Sequence, residues 1–286
     1  MTSRTPFPEL LARRWIDGDT LLCVGLDPDR NQLPPALAGR SDALFRFCAD
    51  VVDATADLVC AFKPQIAYFA AQRAEDQLER LIAYIHQCHP QVPVLLDAKR
   101  GDIGSTARLY AREVFERYDA DAVTVNPYLG RESLEPYLDY ADRGVFLLCR
   151  TSNPESGWLQ EYPAERPIYL RVAEAAMEWN RHGNLMLVVG ATQPAQLERV
   201  RRVVGEMPLL VPGIGAQGGD LGAVLAAGLD RHGHGLLINS SRSILYAGSG
   251  DGFADAARAA ASALASEIRR VRDGARVSGV ASHRAG

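Results

Sequence analysis

The sequence predicts an α/β protein with one domain, a (β/α)8 or TIM barrel in which each of eight parallel strands is followed by a helix. The first observation is length, because 286 residues are enough for such a barrel. The second is a rhythm of short apolar runs, each followed by polar residues or glycine and then by a segment with helical spacing. The third is that no linker or shift in composition divides the chain.

The strand predictions rest on near-continuous apolar runs such as Val94-Leu95-Leu96, which are typical of a parallel sheet buried on both faces. Eight such runs occur, and eight is the number of strands that closes this barrel. The predicted strands are Thr20–Asp27, Leu58–Pro64, Val92–Lys99, Ala122–Asn126, Val145–Arg150, Leu185–Gly190, Leu209–Gly213 and Leu236–Asn239.

Between the strands lie segments with apolar residues at three- and four-residue intervals, as outer barrel helices require. The predicted helices are Ser41–Asp57, Ala71–His89, Ser105–Tyr118, Arg131–Ala141, Glu165–Arg181, Pro194–Val204, Gly219–Gly228 and Gly252–Val271. We assign residues 1–272 to the barrel and residues 273–286 to a flexible tail, because the tail lacks an apolar period. An open doubly wound sheet has the same βα rhythm and is the alternative fold.

Composition favours a small-molecule partner. The chain is 47% hydrophobic and 23% charged with a formal net charge of −4, which gives no electrostatic signature for binding nucleic acid or an anionic membrane. No apolar run approaches the roughly 20 residues that span a bilayer, and the N-terminus lacks a signal-peptide pattern. The five cysteines are odd in number and scattered, which indicates buried thiols in a reducing compartment. We therefore expect a cytoplasmic protein.

Charged residues cluster at the ends of the first three predicted strands. In a barrel the active site forms at the carboxyl ends of the strands, so Asp27, Lys63, Asp97, Lys99 and Asp102 are expected at one rim. Asp97 and Lys99 are two residues apart in an extended segment, so their side chains should share a face. Such buried charges are costly to keep for stability alone, which favours a functional array over a salt-bridged core.

The seventh and eighth strands carry an anion-binding pattern. The glycine-rich loop Val211–Gly219 leads into a helix, and its free amides can cradle a phosphate at the position where barrels commonly bind one. After the eighth strand, Arg242 offers a planar guanidinium for the same phosphate. The alternative is that the glycines only turn the chain and Arg242 lies in solvent.

The fifth strand ends in hydroxyl and amide groups rather than in charge. The segment Arg150-Thr151-Ser152-Asn153-Pro154 offers donors and acceptors suited to the edge of a polar heterocycle. The same residues also form an ordinary polar turn before proline, and the sequence alone leaves these alternatives open.

The segment Asp97–Thr106 resembles the D-x-K-x-x-D-I-x-x-T signature of orotidine 5'-phosphate decarboxylases. The motif is specific, and the similarity covers nearly the whole barrel in the order of the family. The length of the chain and the residues around the motif resemble the longer bacterial (type 2) branch. The other matching segments are Gly25-Leu26-Asp27, Lys63, Ser152-Asn153-Pro154, Pro212–Gly219 and Arg242-Ser243-Ile244.

The resemblance implies a homodimer with two shared active sites. Lys63, Asp97 and Lys99 of one subunit would form an alternating charge array with Asp102 of its neighbour. The implied substrate contacts are Asp27 and Lys63 on ribose hydroxyls, Ile103 and Thr106 on the partner's substrate, Ser152 on the pyrimidine, and Pro212, Gly213, Gln217 and Arg242 around the phosphate.

The implied reaction is decarboxylation of orotidine 5'-phosphate to UMP and carbon dioxide, the final step of UMP biosynthesis. Loss of carbon dioxide from C6 leaves a localised carbanion, which the site must stabilise electrostatically and protonate. We assign both tasks to Lys99, held between carboxylates, and place Asp97 near the departing carboxylate. No cofactor or metal is expected, since the sequence lacks a zinc spacing, a Walker pattern and a dinucleotide fingerprint.

Three other functions are alternatives for this sequence. A related barrel could use the D-x-K-x-x-D strand for metal-dependent sugar-phosphate chemistry, but Lys63 beside Asp97 argues against a cation there. A non-catalytic nucleotide sensor would not need a proton donor such as Lys99. A Schiff-base enzyme would need a lysine whose amine loses its proton readily, and flanking carboxylates act in the opposite direction.

Overall fold

The computed structural model describes residues 4–214 and 218–282, with residues 275–282 described by their backbone alone. Over this part of the chain the sheet has eight parallel strands, which confirms the strand prediction. The strands are β1 Leu22–Leu26, β2 Ala61–Pro64, β3 Leu95–Arg100, β4 Ala122–Val125, β5 Gly144–Arg150, β6 Leu185–Val189, β7 Leu209–Pro212 and β8 Leu236–Ser240.

The sheet closes on itself. Its hydrogen-bonded order is β2-β1-β8-β7-β6-β5-β4-β3, so β2 and β3 are the two edges. Two parallel bridges join these edges, one from Phe62 to Val94 and one from Gln65 to Asp97. The Phe62 amide also donates to the Pro93 carbonyl at 3.0 Å. The barrel is therefore confirmed, and the open doubly wound alternative is wrong.

Helices alternate with the strands and pack around the barrel. The α-helices are α1 Phe7–Ile16, α2 Ala43–Thr55, α3 Ile66–Ala70, α4 Glu75–Cys88, α5 Gly104–Arg112, α6 Glu135–Leu138, α7 Gly157–Gln160, α8 Ile168–Trp179, α9 Pro194–Val204, α10 Leu221–Gly228, α11 Arg242–Leu245 and α12 Phe253–Ser282. In α4, acidic Glu75 and Asp76 occupy the first turn, where they complement the helix dipole. Its buried side chains recur at helical spacing and include Leu78, Leu81, Ile82 and Ile85.

One helix is much shorter than predicted. The segment Arg131–Ala141 forms a 3-10 turn over Arg131–Ser133 and then the single α-helical turn of α6. Pro136 lies in the first turn of α6 and has no N–H to donate to the preceding turn. The chain therefore starts a new turn at Glu135 instead of continuing one long helix.

The N-terminal helix α1 was not predicted from the sequence. It buries Phe7, Leu11 and Trp15, and the indole nitrogen of Trp15 donates to the Leu236 carbonyl at 3.0 Å, at the start of β8. The Phe7 ring packs edge-on against Phe146 of β5, with centroids 5.8 Å apart. Helix α1 therefore packs at the amino ends of the strands, and the opposite end of the barrel remains available for a site.

The last helix, α12, continues to Ser282 and so runs beyond the predicted barrel boundary at Arg272. Arg272 is buried and its guanidinium donates to the Asp19 carboxylate at 2.6 Å, which joins α12 to the loop before β1. The division into a barrel and a flexible tail from residue 273 stays a prediction, and residues 283–286 lie outside the described part of the chain.

Two whole-chain expectations can be compared with the structure. None of the helices within residues 4–214 and 218–282 has the length and apolar character needed to cross a membrane. Four cysteines are buried, but Cys88 at the end of α4 is exposed, so the expectation of buried thiols was wrong for that residue.

Candidate active site

A cavity of about 480 Å³ opens at the carboxyl ends of the strands. Residues of strands β2 to β8 and of the segments after β1, β5, β7 and β8 line it, so the barrel brings together residues that are far apart in sequence. The predicted site residues that line this cavity are Asp27, Lys63, Asp97, Lys99, Ser152, Pro212, Gly213 and Arg242.

Asp97 is the centre of the charge array. Its carboxylate accepts from Lys63 Nζ at 3.2 Å through one oxygen and from Lys99 Nζ at 2.7 Å through the other. Burial raises the pKa of Asp97, but the charges of Lys63 and Lys99 outweigh burial and hold the pKa below its ordinary value. Asp97 is therefore an anion at neutral pH despite being buried.

Lys63 lies deeper in the barrel than Lys99 and is almost fully buried. Burial lowers the pKa of Lys63, but the negative charges of Asp97 and Asp27 outweigh it and raise the pKa above its ordinary value. Lys63 thus carries a positive charge that Asp97 of β3 and Asp27, just after β1, both stabilise.

Lys99 departs from the simple extended strand that the sequence predicted. Its φ is +47°, in the left-handed region, and the pairing of β3 with β4 shifts register between Leu96 and Arg100. Such backbone conformations are costly for residues other than glycine and are concentrated at functional sites. The side chain of Lys99 is 47% exposed and meets Asp97 at the cavity wall. The sequence analysis placed Asp97 and Lys99 together because side chains alternate along an extended strand. The two side chains do meet, but that reason was wrong.

Thr124 of β4 supports both members of this pair. Its hydroxyl donates to Asp97 Oδ1 at 2.8 Å and accepts from the backbone amides of Ala98 at 3.0 Å and Lys99 at 2.9 Å. These bonds give a side-chain partner to two amides in the stretch where the pairing of β3 with β4 shifts register. Thr124 therefore fixes both the carboxylate and the backbone from which the lysine extends.

Two polar groups in the cavity wall have acceptors without a protein partner. The Oδ1 atoms of Asp27 and Asn239 are buried and accept no hydrogen bond from any described residue. Asn239 lies in β8 beside Pro212 of β7, and its Nδ2 donates to the Ser241 hydroxyl at 3.4 Å. Buried acceptors of this kind are uncommon in folded proteins, and both residues face the cavity.

The loop after β5 brings Ser152 to the cavity. A Cβ atom added to Gly190 would lie 2.6 Å from the Cα of Ser152, so this close packing requires glycine at the end of β6. Thr192 donates to the Ser152 carbonyl at 3.1 Å. The Ser152 hydroxyl makes no hydrogen bond with another described residue, and it is therefore available to a bound molecule.

The loop after β7 and the start of α11 form the other side of the cavity. Gly213 has a φ of +106°, which favours glycine, and its carbonyl accepts from the Gly219 amide at 3.1 Å. Arg242 is exposed at the cavity, and its guanidinium forms no ion pair with a described residue. Gln217, the fourth predicted phosphate contact, lies outside the described residues.

Asp102, Ile103 and Thr106 lie apart from the cavity of their own chain. Asp102 is half-buried, and its carboxylate accepts from the Ile103 amide at 2.8 Å. Ile103 is 53% exposed, and Thr106 is exposed on α5. The single chain therefore assembles only part of the predicted array, and Asp102 forms no ion pair with Lys99 in it.

A family model described as "Orotidine 5'-phosphate decarboxylase / HUMPS family" matches residues 20–259, which span all eight strands. The chain belongs to this family. The match includes Asp27, Lys63, Asp97 and Lys99, so the charge array lies within the region that defines the family. The sequence-based assignment to the decarboxylase family is therefore confirmed.

Individual relatives agree with the family assignment. The chain is 64% identical over 258 residues to the orotidine 5'-phosphate decarboxylase of Azoarcus sp. (strain BH72), which covers 89% of this chain and 95% of the relative. It is 60% identical over 270 residues to that of Cupriavidus necator, covering 94% and 99%. A solved structure of Leishmania donovani OMP decarboxylase superposes with a TM-score of 0.82 at 40% identity, covering 94% of this chain and 99% of that one.

Thr124 and Asn239 are the site residues of this family member that the sequence analysis did not single out. Thr124 interrupts the otherwise apolar strand Ala122–Val125, and Asn239 follows three apolar residues in the strand Leu236–Ser240. That interruption was a usable signal, because a polar side chain inside a parallel barrel must face a cavity or a buried partner.

Proposed function

We propose that this chain decarboxylates orotidine 5'-phosphate to UMP and carbon dioxide, the final step of UMP biosynthesis. The observation that carries the proposal is the Lys63–Asp97–Lys99 array at the cavity wall of a decarboxylase-family barrel. A carboxylate fixed between two ammonium groups is a preorganised charge arrangement, which is the type of site that stabilises charge developing in a transition state.

The reaction breaks the bond between C6 of the pyrimidine and its carboxylate carbon. The electron pair stays on C6, carbon dioxide leaves, and C6 takes a proton. Lys99 is the proton donor, because its ammonium group is the most exposed cation of the array and points into the cavity. Asp97 holds Lys99 in position through the 2.7 Å contact, and it lies near the carboxylate that departs. The scheme requires no cofactor.

The remaining contacts hold the substrate away from the reacting carbon. Asp27 and Lys63 bind ribose hydroxyls, and the unpartnered Oδ1 of Asp27 supports this role. Ser152 contacts the pyrimidine, while Pro212, Gly213, Gln217 and Arg242 surround the phosphate. Binding energy from the phosphate and ribose can then position the base against Lys99.

The active form in this proposal is a homodimer with shared sites. Asp102, Ile103 and Thr106 lie outside the cavity of their own chain, and the exposed side chain of Ile103 is apolar. A second copy would receive these residues at its own cavity and place Asp102 beside Lys99. Mixing Lys99→Ala with Asp102→Ala protein tests this arrangement, since one complete site forms in each mixed dimer. Recovery of activity is expected, and no recovery after demonstrated subunit exchange would contradict sharing.

Metal-dependent sugar-phosphate chemistry is the second candidate, because a related barrel could use the same D-x-K-x-x-D strand, here Asp97, Lys99 and Asp102, for it. Lys63 disfavours it, since its ammonium group occupies the side of Asp97 where a cation would bind. Residues 4–214 and 218–274 also contain no cluster of three His, Cys, Asp or Glu side chains arranged to hold a metal ion.

The proposed function is tested by following the absorbance of orotidine 5'-phosphate after adding purified protein, with and without EDTA. We expect conversion to UMP at the same rate in both samples. A rate that falls with EDTA and returns with Mg²⁺ would favour the metal-dependent alternative. Binding of UMP by folded protein without any conversion of orotidine 5'-phosphate would instead indicate a nucleotide sensor.

A further inference from the structure

Arg150 is a charged residue at the end of β5 that the proposed chemistry does not use. Its side chain is only 3% exposed, although it carries a guanidinium group. Burying such a cation is costly unless its donors are satisfied. The structure satisfies them within the loop that follows, so Arg150 is joined to the segment that carries Ser152.

The donors of Arg150 reach four positions along this loop. Nη1 donates to the Thr151 carbonyl at 2.6 Å, to the Ser156 hydroxyl and to Gln160 Oε1 at 3.4 Å. Nε and Nη2 both donate to Glu161 Oε1, at 3.2 and 3.0 Å. Because one rigid planar group bonds to all of them, the loop from Thr151 to Glu161 is folded around the guanidinium.

Gln160 transmits this anchoring to the residue before Ser152. Its Oε1 accepts from the Thr151 amide at 2.9 Å, and its Nε2 donates to the Thr151 hydroxyl at 2.9 Å. The carboxylate of Glu161 also accepts from Gln196 Nε2 at 2.9 Å, which attaches the end of the loop to α9. Thr151 is therefore held through both its backbone and its side chain.

Ser152 is fixed from its other side by β6 and the residues after it. The backbone of Ser152 packs on Gly190, and Thr192 bonds to its carbonyl at 3.1 Å. The hydroxyl of Ser152 is the part of the residue that this network leaves free, and it lies at the cavity. Such a network fixes a group before a ligand arrives, which lowers the entropic cost of binding.

We propose that Arg150, acting through Gln160, is a positioning residue that sets the affinity of the site for the pyrimidine base. This inference rests on the proposed function, in which Ser152 contacts the base. It predicts that loosening the network weakens binding of a nucleotide but leaves binding of its sugar phosphate unchanged, since Asp27, Lys63 and Arg242 lie on other strands and loops.

The test compares Gln160→Met with Gln160→Glu in the full-length protein. Methionine has a similar volume but removes both bonds to Thr151. Glutamate keeps an acceptor for the Thr151 amide and for Arg150. Gln91→Met is the matched control, since Gln91 is exposed in the turn before β3, at the opposite end of the barrel. Dissociation constants are measured for UMP, which has the base, and for ribose 5-phosphate, which lacks it.

We expect Gln160→Met to weaken UMP binding about tenfold, the effect of losing well-placed hydrogen bonds, with unchanged binding of ribose 5-phosphate. Gln160→Glu should recover most of the affinity for UMP, and Gln91→Met should equal the wild type. Arg150→Lys keeps the charge but lacks the planar guanidinium group. It should weaken binding of UMP and leave binding of ribose 5-phosphate unchanged.

Two results would overturn the inference, and they differ in whether the proposed base contact of Ser152 fails as well. Equal loss of affinity for UMP and ribose 5-phosphate in Gln160→Met, or no loss for either, would show that the network serves only the stability of the loop. If the wild-type protein binds UMP no more tightly than ribose 5-phosphate, the proposed base contact of Ser152 fails together with the inference.

Discussion

The barrel holds a buried carboxylate among cations at each of its ends, and the two clusters differ in what surrounds them. At the rim, Asp97 accepts from Lys63, Lys99 and Thr124, which are all side chains, beside a cavity. At the opposite end, Asp121 just before β4 accepts from the backbone amide of Val94 at 2.7 Å.

The charged partners of Asp121 lie on segments outside the β-sheet. His86 of α4 approaches its carboxylate at 2.9 Å, and Arg4 from the N-terminal segment also donates to it. In contrast, the rim cluster joins strands β2, β3 and β4 of the barrel itself, and it leaves the side chain of Lys99 47% exposed. The comparison indicates that the cluster at Asp121 stabilises the fold, whereas the cluster at Asp97 holds charges in place for a ligand.

Substitution of Asp97 should have the largest effect. Asp97→Asn removes the charge that holds Lys99 and leaves Lys63 buried with Asp27 as its remaining neighbouring carboxylate. We expect kcat/KM for orotidine 5'-phosphate to fall about a thousandfold, as for loss of a preorganised electrostatic group. Stability should also fall, by about 3 kcal/mol, because a buried pair is broken. Steady-state rates and urea denaturation measure the two effects, and retained activity would contradict the comparison.

Asp121→Asn is the matched substitution at the other end of the barrel. The amide can still accept from the Val94 amide but loses the attraction to Arg4 and His86. We expect a loss of about 2 kcal/mol of unfolding free energy, below the value for fully buried pairs because Arg4 and His86 are partly exposed. At a temperature where the variant is folded, kcat/KM should equal that of the wild type. A fall in kcat/KM would mean that the two clusters are not separable.

The substitution Thr124→Val tests how the cluster at Asp97 is held in place. Valine keeps the shape of the side chain but removes the bond to Asp97 and the acceptor for the amides of Ala98 and Lys99. We expect kcat to fall about tenfold, because the ammonium group of Lys99 is no longer held in its position. Thr124→Ser keeps the hydroxyl and is the control. Equal rates for the two variants would show that the hydroxyl does not position Lys99.

The smallest effect concerns acid stability. Burial raises the pKa of Asp121, but the bond and charge of His86 and the charge of Arg4 outweigh it and lower the pKa below its ordinary value of 3.8. A carboxyl group with a depressed folded-state pKa stabilises the protein above its unfolded-state pKa, and this contribution is lost as the pH falls below that value. The stability difference between wild type and Asp121→Asn should therefore be smaller at pH 3 than at pH 5. Urea denaturation at these two pH values measures it, and a difference that is larger at pH 3 would contradict the account.

The sequence predicted the strands well because each is a compact apolar run between turn signals. All eight predicted strands overlap those of the structure, as in Leu185–Gly190 against Leu185–Val189. The N-terminal helix was missed because its apolar residues Phe7, Leu11 and Trp15 are spaced among charged ones and precede the first strand. Its role depends on packing against β5 and β8, which a local pattern does not contain.

The site was predicted in outline, and the part that could not be predicted arises from backbone geometry. The carboxyl ends of the strands had to meet at one rim, so Asp27, Lys63 and Asp97 were predictable from the barrel alone. The left-handed conformation of Lys99 and its support by Thr124 were not, because they arise from an irregular pairing of β3 with β4. That Asp102 of a neighbouring subunit lies beside Lys99 remains a prediction.

The central claim is that Lys99 supplies the proton and the positive charge for decarboxylation. It is tested most directly by the rate of UMP formation from orotidine 5'-phosphate by Lys99→Ala, next to wild type and Asp121→Asn at equal folded concentration. The account predicts that Lys99→Ala is folded and at least about a thousandfold slower, while Asp121→Asn is less stable and fully active. Turnover by Lys99→Ala within tenfold of the wild type would contradict it.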